Sequence, residues 1–137
     1  MNGGELLIGN RTYKLDGKGR FPITSFKPEK GEKLVLVHGE DDCVDIYSYS
    51  YIEKLVKESM DDEEVQDLMD YLSVNAIGTA IADGQHRVKI PDNIMTEYQL
   101  KKEVVVLGRL NRLSVFNRSS YNSFANRLKN KPKVLIR

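Results

Sequence analysis

A chain of 137 residues that is 40% hydrophobic and 30% charged is about one domain long and has the composition of a folded globular protein, which excludes a largely disordered chain. No apolar run approaches the roughly 20 residues needed to span a bilayer, Met1-Asn2-Gly3-Gly4-Glu5 lacks a signal-peptide pattern, and Cys43, the one cysteine, excludes an internal disulfide. The net charge of +1 conceals segregation: Glu53 to Asp70 sums to −6, whereas Arg109 to Arg137 carries eight basic residues and no acid. The expectation is a cytoplasmic protein with no membrane partner, and with basic surface for an anionic one.

In chain order, the first signal is Asp16-Gly17, a hairpin turn by composition, since glycine reaches positive φ without steric cost and aspartate bonds nearby backbone N–H groups. Leu34 to Val37 is a short aliphatic run that predicts a strand buried on both faces and ends near Gly39. Val44-Asp45-Ile46-Tyr47 alternates, as for a strand with one covered face. A helix is predicted from about Ser50. A second follows Met60, with Asp61 and Glu64 placed for a capping box and Val65, Leu68, Met69 and Leu72 forming one apolar stripe.

The same sequence of signals then recurs. Asp83-Gly84 marks a turn, Val104 to Leu107 a core strand ending at Gly108, and Leu113-Ser114-Val115-Phe116 a further strand with one covered face. A helix is predicted from about Ser119, with Tyr121, Phe124, Ala125 and Leu128 on one face and Pro132 limiting its extension. Asp16-Gly17-Lys18-Gly19-Arg20-Phe21-Pro22-Ile23 aligns with Asp83-Gly84-Gln85-His86-Arg87-Val88-Lys89-Ile90 at an offset of 67 residues, and Gly39 aligns with Gly108 at 69. Blocks kept in order with a two-residue drift are the mark of an internal repeat with a loop insertion. The reading is a single domain over 1–137 with half-repeats at about 7–73 and 74–130. Its fold class is α+β: two tandem β-hairpin/helix units closing into one small barrel.

The paired Asp-x-x-x-Arg motifs, with Val105-Val106-Leu107-Gly108-Arg109-Leu110-Asn111-Arg112-Leu113-Ser114-Val115-Phe116, resemble the MraZ family of transcriptional regulators over about Leu7 to Leu128. The pattern departs at His86, where the family's second motif usually has glycine, and at Phe116, where it usually has tryptophan. The resemblance implies an AbrB-like barrel with pseudo-two-fold symmetry, and assembly of subunits into a homo-oligomeric ring, an octamer or dodecamer. It also implies binding of double-stranded DNA at direct repeats upstream of the bacterial cell-division and cell-wall gene cluster, hence association with the nucleoid.

Within the motifs, Arg20 and Arg87 are the expected DNA contacts, because a planar guanidinium fork bonds two acceptors of guanine or phosphate at once. Lys18 adds a point charge beside Arg20, and His86 a neutral or weakly protonated donor. Asp16 and Asp83 are expected to hold turn geometry, since phosphate would repel them, with Gly17, Gly19 and Gly84 letting the backbone turn tightly. The plain alternative is that each Asp–Arg pair only braces a hairpin. Arg11 and Lys14 read as exposed scaffold charges.

Other chemistry finds little support. His38 and His86 have no ligand-spaced Cys or Glu, so no metal is expected, and no phosphate-loop or dinucleotide fingerprint calls for a cofactor. His38, followed by Gly39-Glu40-Asp41-Asp42, reads as a polar loop, and Cys43 as a buried small side chain. No enzyme is expected. An AbrB-like antitoxin or protein-interaction module is the alternative function. The −6 and +8 segments also suggest that the acidic helix meets the basic tail of a neighbouring subunit.

Overall fold

The computed structural model describes residues 7–23 and 26–130. The N-terminal segment read for a signal, and the tail residues Lys131, Pro132, Lys133 and Arg137, lie outside the described residues. The first half contains β1 (Leu7–Lys14), β2 (Arg20–Pro22), β3 (Lys33–His38), β4 (Val44–Ser48), α1 (Tyr49–Glu58) and α2 (Asp62–Asn75). The second contains β5 (Ala76–Ile81), β6 (Arg87–Lys89), α3 (Asp92–Glu97), β7 (Glu103–Leu110), β8 (Leu113–Phe116) and α4 (Arg118–Lys129). Turn, strand and helix therefore fall where the sequence signals place them, with α3 added. Six residues are too few to display an apolar stripe, and α3 declares itself only by burying Ile94.

The strands form an antiparallel six-stranded sheet in the order β1-β7-β8-β4-β3-β5, and β2 pairs with β6 in a separate two-stranded ribbon. Each half lends its first strand to the third strand of the other: Leu7 lies opposite Leu110 on β7, and Ile81 opposite Lys33 on β3. At the centre β4 pairs with β8, with Val44 opposite Val115. The sheet does not close into the expected barrel. The strand exchange sends β1 and β5 to opposite edges, and β2 and β6, which could have bridged them, pair with each other instead.

The aliphatic runs of β3 and β7 are covered on both faces, as their lack of alternation implies. Leu34, Leu36, Val104 and Val106 join Phe21, Val88, Ile46 and Leu113 in one cluster. On the other face Val37 packs with Ile52 and Leu72 from α1 and α2, and Val105 with Phe116 and Phe124 beneath α4. The second faces of β4 and β8 are a correction to the sequence reading, because Asp45 and Ser114 are both buried. The Ser114 hydroxyl donates to Asp45 Oδ1 at 2.5 Å and Arg112 Nε donates to Oδ2 at 3.1 Å. Alternation looks the same whether the polar residues meet water or each other.

Helix starts follow capping chemistry. Ser48 rather than Ser50 caps α1, Asn117 rather than Ser119 caps α4 with its side chain accepting from Ser120 N–H, and the Asp61/Glu64 box caps α2 as read. Of the α2 stripe only Leu72 is buried, while Met69 remains 45% exposed. Gly108 ends its aliphatic run because a Cβ there would lie 2.9 Å from the β1 backbone at both Leu7 and Ile8.

Candidate nucleic-acid interface

Both Asp-x-x-x-Arg segments fold into the same turn. In the first, Asp16 Oδ1 accepts from Lys18 N–H at 2.8 Å and from Arg20 N–H at 2.9 Å, while Arg20 Nε donates to Oδ2 at 2.8 Å. In the second, Asp83 Oδ1 accepts from Gln85 N–H and Arg87 N–H, each at 2.9 Å, and Arg87 Nε donates to Oδ2 at 2.7 Å. Each turn closes through the fourth residue, at positive φ, 75° for Gly19 and 58° for His86, and not through Gly17 or Gly84, where the Asp-Gly signal places it. Histidine pays the backbone cost that glycine avoids.

Pairing of β2 with β6 brings the two turns onto one ribbon. Arg20 lies opposite Lys89, Phe21 opposite Val88, and Pro22 opposite Arg87. Since side chains alternate across a strand, Phe21 and Val88 point into the core, and Arg20, Pro22, Arg87 and Lys89 share the outward face. The two arginines sit on a diagonal of the register, a spacing of about 7–8 Å between Cα atoms in an antiparallel pair. Each spends its Nε on its own aspartate, which fixes the guanidinium plane and leaves the Nη end as the part of the fork that can turn to an outside acceptor. Their side chains are 28% and 29% exposed. Lys18 and Gln85 occupy the exposed turn tips.

The sequence reading did not single out Lys89. Its signal was the alternation Arg87-Val88-Lys89, hidden because the matching position in the first half is Pro22. Lys89 Nζ donates to the Lys18 carbonyl at 2.9 Å and to Asp92 at 3.0 Å, which ties α3 to the first turn. His86 sits on the second turn, its Nδ1 2.8 Å from the Pro28 carbonyl oxygen.

The backbone N–H of Arg20 holds the Asp16 carboxyl at about 2, below its ordinary 3.8, and outweighs desolvation, with help from the Lys18 N–H and the guanidinium. Asp83 is lowered by the corresponding N–H of Arg87. A carboxyl that is more acidic in the folded state adds stability that is complete above its unfolded value and disappears as pH falls through the folded one. Both turns are therefore expected to persist through neutral and mildly acidic pH. A carbon-13 carboxyl titration is expected to place the Asp16 midpoint near 2; a midpoint at the ordinary carboxylate value would contradict the turn geometry.

The remaining candidates serve the scaffold. Arg109 bonds Asp41 at 2.9 Å, Arg127 bonds it at 3.3 Å, and Arg118 bonds Glu103 at 3.2 Å, so much of the described basic C-terminal segment is engaged within the chain. His38 Nδ1 bonds the Tyr98 hydroxyl. Cys43 is buried, and desolvation pushes its thiol up to about 12. Arg11 and Lys14 are exposed on β1. Among the described residues no group of three or more His, Cys, Asp or Glu could hold a metal, and no helix is long and apolar enough to cross a membrane.

The chain matches a family model described as "MraZ protein, putative antitoxin-like" over residues 79–134, a segment that includes the second motif. It is similar to the transcriptional regulator MraZ of Cutibacterium acnes, with 33% identity over 88% of this chain and 87% of the relative. Its similarity to the transcriptional regulators MraZ of Alkaliphilus metalliredigens, at 28%, and Caldicellulosiruptor saccharolyticus, at 30%, covers 87% and 85% of this chain and 86% and 84% of those proteins. These relatives, each similar over at least 85% of this chain, carry one designation, and the chain belongs to the MraZ family of transcriptional regulators.

Proposed function

We propose that the chain regulates transcription by sequence-specific binding of double-stranded DNA, with the β2–β6 ribbon entering the major groove. That groove is wide enough for a two-stranded ribbon. Arg20 and Arg87 make the principal contacts, Lys18 adds a backbone contact, and His86 offers its Nε2 edge. Asp16, Gly17, Gly19, Asp83 and Gly84 hold the turns. The observation that carries this reading is the convergence of two motifs, far apart in the chain, on the outward face of one ribbon. The aspartate–arginine bonds satisfy the bracing alternative as well, but bracing alone does not call for two arginines facing solvent together.

In this reading the whole chain is one domain whose halves, about 7–73 and 74–130, are related by a pseudo-two-fold axis. Support comes from pairings that remain the same when the halves are exchanged: β1 with β7 and β5 with β3, β3 with β4 and β7 with β8. The targets are direct repeats upstream of the cell-division and cell-wall gene cluster, and the protein works in the cytoplasm on the nucleoid. Subunits assemble into a ring, which sums weak contacts on successive repeats. Support for assembly lies in α2, with five acids and no base, whereas on α4 Arg118 and Arg127 are engaged with Glu103 and Asp41 of the same chain. Exposed Met69 and Val74 on α2 and Leu128 on α4 add apolar surface.

Fluorescence anisotropy against DNA from upstream of the protein's own gene, with scrambled competitor at two salt concentrations, tests the reading. Arg20→Ala and Arg87→Ala are each expected to weaken preferred-site binding by on the order of tenfold or more, and wild-type affinity to fall steeply with salt. Native mass spectrometry is expected to show a closed oligomer. Absence of sequence preference, or unchanged binding in both variants, would overturn the proposal in favour of the antitoxin or interaction module; a monomer would overturn the ring.

A further inference from the structure

The two turns share one backbone frame, so the side chains that differ between them stand out. Lys18 N–H and Gln85 N–H occupy the same place, each donating to the aspartate Oδ1, at 2.8 and 2.9 Å. Three positions differ in chemistry: Gly19 against His86, Pro22 against Lys89, and Lys18 against Gln85. Intramolecular bonds tie down two of these differences. His86 is held by the Pro28 carbonyl, and Lys89 by the Lys18 carbonyl and Asp92. Lys18 and Gln85 differ at the exposed tips, each two residues before an outward-facing arginine.

The ammonium of Lys18 is a donor-only point charge, suited to phosphate. The primary amide of Gln85 carries a donor and an acceptor side by side, the pattern that matches N6 and N7 of adenine in the major groove. Like the proposed function on which it rests, this distinction concerns the ribbon as the DNA-facing element. We infer that Gln85 is a specificity-determining residue that reads an adenine beside the base pair met by Arg87, while Lys18 binds backbone phosphate at the other tip. Such a ribbon is chemically directional even though its backbone is nearly symmetric, so each subunit accepts its site in one orientation. A non-palindromic repeat is the natural target of that geometry.

A base-substitution scan of the upstream DNA by competition anisotropy tests this, using wild type, Gln85→Ala, Gln85→Lys and Lys18→Gln. Gln85→Ala is expected to flatten discrimination at one adenine-containing position by about tenfold and to leave the other positions within about twofold. Gln85→Lys is expected to remove the adenine preference there, because a donor-only point charge lacks the acceptor that pairs with adenine N6. Lys18→Gln is expected to weaken binding uniformly and to lower the salt slope by about one. A uniform loss or no change in Gln85→Ala would overturn the role of Gln85. A scan already flat in wild type would instead overturn the DNA-binding reading beneath it. Unchanged thermal melts confirm that the exposed tip variants fold.

Discussion

Phe21→Ala is expected to lower the folding stability by about 3–5 kcal/mol, the range for truncating a fully buried phenylalanine. Phe21 has no exposed surface, lies opposite Val88 in the ribbon, and packs 6.2 Å, centroid to centroid, from Tyr13 of β1. A cavity there removes the floor beneath Arg20 and the contact that seats the ribbon on the sheet. Thermal unfolding is expected to show a fall in Tm of roughly 10–20 °C, given the entropy of unfolding for a chain of this size. Under the proposed function, loss of DNA preference is expected even at temperatures where the variant stays folded, because a displaced ribbon carries both arginines with it. A Tm within a few degrees of wild type would mean that the ribbon is not anchored through Phe21.

The second large effect is expected at Arg112. Its side chain is 25% exposed, whereas that of Asp45 is only 3% exposed. Arg112→Ala would leave a buried carboxylate held by the Ser114 hydroxyl and, more distantly, the Cys43 thiol at 3.5 Å. Removing one partner of a buried pair costs about 3–5 kcal/mol, and the solvent contact of Arg112 reduces this to roughly 2–3 kcal/mol. Asp45→Asn in the same background is expected to recover much of the loss, since an amide needs no countercharge. Urea denaturation of the two single variants and the double variant measures the coupling directly. Strict additivity would show that the pair contributes nothing of its own.

Much of the fold was legible because local chemistry and final structure agree. Asp-Gly marked both turns, unbroken aliphatic runs marked the central strands, and Asp61 with Glu64 marked the start of α2. The failures came where two environments produce the same pattern. Asp45 and Ser114 alternate with apolar neighbours as solvent-facing residues would, yet they find each other across β4 and β8. Ser50 and Ser119 have capping chemistry, but the side chains that accept from the first-turn N–H groups are those of Ser48 and Asn117. Barrel closure could not be read at all from periodicity, because it depends on which strands pair, and the pairing is decided by residues far apart in the chain. For the candidate site, the paired Asp-x-x-x-Arg motifs located Arg20 and Arg87 by number. It could not show that they meet on one ribbon, and it concealed Lys89 behind Pro22.

The exchange of first strands between halves also governs how the molecule can come into being. During synthesis β1 emerges early, but its partner β7 does not exist until the chain has been made as far as Leu110. The first half can form the β3–β4 hairpin and α1, while the edge of β3 stays open until β5 arrives. Long-range pairing of this kind raises the contact order and the chain entropy lost before the pairing contacts form, which slows folding. The first half released alone would keep an orphan β1 and an unpaired β3 edge, which a second copy of the same half could satisfy. Tandem joining makes that exchange intramolecular, so the encounter no longer depends on protein concentration.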